Sequence, residues 1–294
     1  MRTGRLTPET AAELHLARAR AYWREDRLEL AHAAMLGALR VGIPAGDLYD
    51  LQRTIEAELA ARRAGERLRL EEHLEIEADP QLWADLWPFV LTDTSAAAAA
   101  TGRALSVRWA KPILVTLFAR DDWADYMHAR YGYYAERTER HKVCLPPSAA
   151  AAREERRRAL RHEMAHAAAH ALGGEGVPRW LDEGIAVTLE GGPRGDERRR
   201  YRIARRRGAV MSLAQVSAAL EGYAMALNTA EAEFCYSSAA DFVGRQAKER
   251  GMGALRDCLA RIGAGQSPER AWGRAFGRSL RAAEAEWQRA RGEG

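Results

Sequence analysis

Apolar residues recur at helical spacing from the start of the chain. Leu14, Ala17 and Ala21 share one face up to Trp23. Thr7-Pro8-Glu9 opens that helix, with Thr7 as N-cap and Pro8 at the first helical position. Asp26 begins a second helix carrying Leu30, Ala33, Ala34, Met35 and Leu39, which Gly42-Ile43-Pro44 ends. A third runs from about Gly46 to Ala64. The period then changes. Leu68, Leu70, Leu74 and Ile76 predict one strand with a slip near His73, ended by Asp79-Pro80. Trp83 and Trp87, four apart, predict a core pair, and the Ala96 to Ala100 run a closely packed helix. Ile113 to Phe118 is almost free of charge and predicts a central strand; Tyr131 to Leu145 predicts a hairpin or two edge strands. Ala149 to Leu172 contains no Gly or Pro and predicts one helix, with Ser148 as its N-cap and Gly173-Gly174 as its stop. Pro178 suits the first turn of the next helix. Beyond Pro193 the pattern is helical, with caps at Ser212 and Ser267. The expected class is α+β, mostly helical, with a small mixed sheet.

Composition narrows the setting. At 294 residues the chain can bury one large core or two modest ones. No apolar run reaches the roughly 18 residues of a membrane span, and the N-terminal residues carry no apolar signal-like stretch. Cys144, Cys235 and Cys258 are odd in number and scattered, which fits neither a disulfide framework nor a cysteine-based metal site. A cytoplasmic setting without membrane insertion is the expectation. The net charge of +4 comes almost wholly from Arg. The runs Arg156-Arg157-Arg158, Arg198-Arg199-Arg200 and Arg205-Arg206-Arg207 read as solvated helix faces, or as a patch for acidic partners. A nucleic-acid binder would need a reading motif, and none is present.

The chemistry gathers at Arg161-His162-Glu163-Met164-Ala165-His166, a His-Glu-x-x-His pattern. On a helix the two histidines lie one turn apart on one face and can meet on a single ion. Glu163 is placed to hold the water that such a site activates. His170, about 12 Å along the axis from His162, is too far to share that ion and reads as a helix-end or supporting histidine. A zinc site built for catalysis has three protein ligands and an open position. The Gly173-Gly174 turn should send the next helix back antiparallel, bringing Glu183 over the histidines.

Trp180-Leu181-x-Glu183-Gly184-x-Ala186 downstream of His-Glu-x-x-His resembles the gluzincin metallopeptidases, and most closely the peptidase MA-like branch. Weaker likeness spans roughly Arg67 to Arg291. Lys111 to Phe118 resembles that family's buried strand, Asp121-Asp122-Trp123 the loop and helix after it, Gly132 to Pro146 the edge strand and hairpin, Phe234 to Val243 a later helix, and Gly265 to Trp272 the closing helical hairpin. The resemblance implies a zincin-like catalytic domain over 66–294, with a sheet-containing half (66–148) and a helical half (149–294). It implies one Zn²⁺ per chain held by His162, His166 and Glu183, with Asp182 as the supporting neighbour. Glu163 would be general base, and Tyr236 would face the metal and donate to an oxyanion. An edge strand near a zinc helix can align an extended peptide; Tyr133, Tyr134 and His141 either line that cleft or stand on a sheet face. Residues 1–65 look like a tetratricopeptide-type helical module, packed on the body or offered to a protein partner. The substrate class implied is peptide or protein. The rival reading is a non-catalytic zincin-like interaction module with structural zinc, which would need a fourth protein ligand.

Overall fold

The Thr7 hydroxyl accepts from the Thr10 N–H at 3.2 Å, and α1 (Pro8–Arg24) begins there as the local chemistry requires. The structure is a computed structural model describing residues 7–81, 83–118, 132–221 and 229–290. The readings at Asp121-Asp122-Trp123 and Tyr131 lie outside the described residues. The chain is mostly helical (69%) with a small mixed five-stranded sheet. Contacts divide it into two units, 1–92 with 111–156 and 93–110 with 157–294.

In the first unit α1 is followed by α2 (Leu28–Arg40) and α3 (Ala45–Ala64). Asp26 does not start α2. It sits between the helices at φ 59°, a conformation that Asp tolerates better than most residues, and its carboxylate pairs with Arg62 at 2.7 Å. The single strand expected over 66–77 is a hairpin, β1 (Glu66–Glu71) and β2 (Leu74–Ala78). The slip near His73 is the turn itself. The division of the alternating run is visible in burial: β1 is exposed at nearly every position, and β2 is mostly buried. Trp83 is buried in the loop after β2, while Trp87 opens α4 (Trp87–Leu105), where Ala97 and Ala98 are buried. The tryptophans therefore do not share a helix face.

β3 (Ile113–Leu117) is buried at all five positions, as its lack of charge predicts. β4 (Tyr133–Glu136) and β5 (His141–Leu145) form the expected hairpin. The sheet order is β1-β2-β3-β5-β4, with β2, β3 and β5 parallel and the outer pairs antiparallel. One row across it reads Leu68, Ile76, Val115, Val143, Tyr134. Because side chains alternate, the neighbouring row of Glu77, Thr116, Cys144 and Tyr133 faces the other way.

That second face carries a buried ionic cluster. Glu58 of α3 is fully buried and accepts from Arg137 at 2.6 Å, Lys142 at 2.7 Å, Trp23 Nε1 at 3.0 Å and the Tyr133 hydroxyl. Arg137 also lies over the Trp23 ring, 3.7 Å from its centroid. Burial alone would push the Glu58 carboxyl up; Lys142 and Arg137 outweigh it and hold it at about 2. These bonds tie α3 into the sheet. The helices of residues 1–65 thus share a unit with the strands, and the contacts do not divide the chain at 65/66.

The long helix expected over 149–172 is interrupted. α5 (Pro147–Ala151) ends at Ala152, whose ψ of 131° is extended, and α6 (Arg153–Gly173) begins after it. Ser148 therefore lies inside α5 and is not the N-cap of the long helix. Arg156 is buried and donates to the Ala150 carbonyl at 2.8 Å, satisfying a carbonyl that the break leaves open.

In the second unit α6 ends at Gly173. Gly174 takes φ +60° to start a 3₁₀ turn, Gly174–Gly176. Pro178 is the N-cap of α7 (Arg179–Glu190), one place earlier than expected. Then come α8 (Gly195–Arg206), α9 (Leu213–Glu221), α10 (Thr229–Arg250), α11 (Met252–Gly263), α12 (Pro268–Phe276) and α13 (Leu280–Arg289). Ser212 and Ser267 accept from Gln215 and Arg270 N–H groups, as expected for caps. Trp180, Phe242, Trp272, Phe276 and Trp287 form the aromatic centre, with Trp272 and Phe276 stacked at 3.9 Å. Arg205 is buried and donates to the Trp287 carbonyl at 2.8 Å. So two of the Arg runs read as solvated faces each contain a buried arginine. Cys144, Cys235 and Cys258 are free and buried. No helix among the described residues is long and apolar enough to cross a membrane.

Two variants test this packing. Glu58→Gln strands two buried cations and should cost about 3–5 kcal/mol at neutral pH. The contribution is present above the ordinary glutamate value of 4.5 and fades as pH falls toward about 2. Urea unfolding of wild type and variant should therefore converge at acid pH; a gap that stays constant would refute the assignment. A Cβ on Gly184 would lie 2.5 Å from Val243 Cγ2 and 2.8 Å from the Ala239 carbonyl oxygen of α10. Gly184→Ala should cost about 1–3 kcal/mol, read as a lower Tm.

Candidate metal centre

The site lies within the second unit, on α6 and α7. Helical spacing stacks His162 and His166, and their rings meet edge to face with centroids 4.8 Å apart. Ala165, Ala167, Ala168 and Ala169 are all fully buried, and their small side chains let neighbouring elements approach α6 closely. The turn at 174–178 reverses the chain, and Asp182 and Glu183 in the first turns of α7 come back against the histidines.

Each histidine is oriented by a carboxylate. His162 Nδ1 lies 3.0 Å from Glu190 Oε2, and His166 Nδ1 lies 2.8 Å from Asp182 Oδ1. A carboxylate oxygen can only accept, so Nδ1 carries a proton, and in the neutral imidazole each Nε2 keeps its lone pair. Those two Nε2 atoms are 3.2 Å apart. Glu183 Oε2 is 3.5 Å from both, is buried, and accepts no hydrogen bond. With both imidazoles neutral, three acceptors converge on one point with no donor among them.

Such an arrangement requires positive charge. A tetrahedral ion with ligands at about 2.0–2.1 Å has ligand–ligand edges of about 3.3–3.4 Å, close to the separations found. His162, His166 and Glu183 form the one metal-competent group of three or more among the described residues, and no fourth such side chain joins them. Charge balance agrees. The carboxylates Glu163, Asp182, Glu183 and Glu190 face the guanidiniums Arg158 and Arg179. With neutral imidazoles this leaves two negative charges, which a divalent cation would balance. The same field acts on protons. Burial resists a charged His166, but Asp182 and Glu183 prevail and push it up to about 10; His162 is raised likewise by Glu183 and Glu190. Burial would raise the Glu183 carboxyl, but His166 and His162 hold it well below its ordinary value.

Glu163 differs from its neighbours. It is buried, and no described residue hydrogen-bonds or ion-pairs with its carboxylate. Burial raises its pKa; His162 and His166 oppose that, and Glu183 and Asp182 add to it. Its carboxyl is therefore shifted toward holding a proton.

The supporting residues were legible in part. Asp182 contacts His166, and it also meets His170 Nε2 at 3.5 Å. Glu190 was missed. It lies seven residues after Glu183, on the same helix face, and that spacing was its available signal. Arg158 donates to Glu190, and Arg179 contacts Glu183 at 2.8 Å. Tyr236 is half-buried on α10, in the neighbourhood of Arg179.

Tyr133, Tyr134 and His141 belong to the first unit and do not line one surface together. Tyr133 points to the face that carries Glu58 and bonds it. Tyr134 and His141 stand on the opposite face, joined at 2.9 Å, with His141 buried. The pleat, which turns adjacent residues to opposite sides, separates the pair that sequence proximity had joined.

Glu190→Gln should weaken divalent metal binding about 10–100-fold by loosening His162, as read by chelator competition. Unchanged affinity would show that the contact does not support the site.

Set beside known proteins, the chain has no match among family models, curated proteins or solved structures.

Proposed function

We propose that the chain is a zinc-dependent peptidase whose second unit is a zincin-like catalytic body. The observation that carries the reading is the convergence of His162 Nε2, His166 Nε2 and Glu183 Oε2 at 3.2–3.5 Å, with each imidazole held by a carboxylate. Zinc bound there would polarise the scissile carbonyl and ease loss of a proton from the attacking water. Glu163 takes that proton and returns it to the leaving amine. Its burial and raised pKa support the role, since a base with a pKa nearer neutrality also serves better as the later acid. Tyr236, half-buried in the neighbourhood of Arg179, is the proposed hydroxyl donor to the developing oxyanion.

The substrate class is peptide or protein. The helices of residues 1–65, tetratricopeptide-like in pattern, are the proposed contact for a protein partner. Three free, buried thiols suit a reducing cytoplasm. A structural zinc would be closed by four protein ligands. The group found has three, and the carboxylate beside it, Glu163, has no described partner.

Glu163→Gln should keep about one zinc per chain and lose about 10²–10⁴-fold in hydrolysis of a fluorogenic peptide library. Metal content and turnover measured together decide it. A variant that retains zinc and cleaves like wild type removes Glu163 from the mechanism.

A further inference from the structure

Glu183 has two carboxylate oxygens, and they are treated differently. Oε2 is buried, accepts no hydrogen bond and faces the two Nε2 atoms. Oε1 is taken by Arg179 Nη2 at 2.8 Å. The other terminal nitrogen of the same guanidinium, Nη1, reaches Asp182 Oδ2 at 3.3 Å. Asp182 in turn holds His166 through its Oδ1 at 2.8 Å. One side chain at the first position of α7 thus grips both the proposed ligand and the carboxylate that orients another ligand. Helical geometry makes this possible, because residues three and four beyond Arg179 lie over it on one face. Arginine suits the task, since its planar fork offers two donors in fixed relation, where lysine offers a single point charge.

From this we infer that Arg179 is a positioning residue that makes Glu183 a one-oxygen ligand. The inference rests on the metal-site reading above. By occupying Oε1 it stops the carboxylate from turning both oxygens to the ion. A second oxygen would fill the open position that water and substrate need. By bridging to Asp182 it also locks Glu183 and His166 into one unit, so the two ligands move together.

The test uses the full chain loaded with Co²⁺, whose visible absorption is intense in four-coordinate sites and weak when more ligands bind. Wild type should show the intense bands. Arg179→Ala should show weaker bands and lose Co²⁺ to a chelator about tenfold faster. Arg179→Lys, which can still donate to Oε1, should recover most of the band intensity but not the full retention. Arg179→Met keeps the apolar stem without the donors; it carries the same expectation as Arg179→Ala and serves if that variant does not fold. Identical spectra and release rates for wild type and the Ala or Met variant would overturn the role while leaving the metal site standing. Failure of wild type itself to take up Co²⁺ would overturn both readings.

Discussion

Two imidazole lone pairs and a carboxylate oxygen, buried and turned on one point, repel one another unless positive charge lies between them. The second unit is arranged to bear that repulsion. Four-residue spacing on α6 supplies the histidines. A run of fully buried alanines lets the neighbouring elements come close. Gly184, with no room for a Cβ against α10, sets how near α7 can lie. Asp182 and Glu190 fix the rings, and Arg158 and Arg179 fix the carboxylates. Each layer restrains the one inside it.

The two units handle buried charge in opposite ways. In the first, Glu58 is satisfied by Arg137, Lys142, Trp23 and Tyr133. Its partners offset the cost of burial, and the cluster joins α3 to the sheet. In the second, carboxylates outnumber guanidiniums around the histidines, and one carboxylate, Glu163, takes no bond from a described residue. Perturbed pKa values mark both places. Among the described residues, the second is where two histidines and a carboxylate gather into a metal-competent group.

Local pattern predicted most elements and misplaced their joints. The slip near His73 and the break at Ala152 were invisible to it for different reasons. A two-residue turn within an alternating run costs the pattern only one step. The break at Ala152 is stabilised by Arg156 reaching back to a carbonyl, a contact that no propensity encodes. Arg156 and Arg205 also show why a charge run is a poor guide to exposure. One member of each is turned inward by backbone carbonyls in need of donors.

By itself the sequence determined the features that short-range periodicity dictates: the α+β class, the central β3 strand, the paired histidines with Glu163 between them, and Glu183 as the returning carboxylate. These depend on spacing along one element or across one tight turn, where chain geometry leaves little freedom. Tertiary structure alone decided that Glu190 orients His162, that Arg179 divides the oxygens of Glu183, and that Tyr133 faces away from Tyr134 and His141. Such pairings join residues whose distance in space depends on how whole helices and strands pack. A carboxylate two turns away, or an arginine at a helix start, has many partners open to it until burial leaves it one.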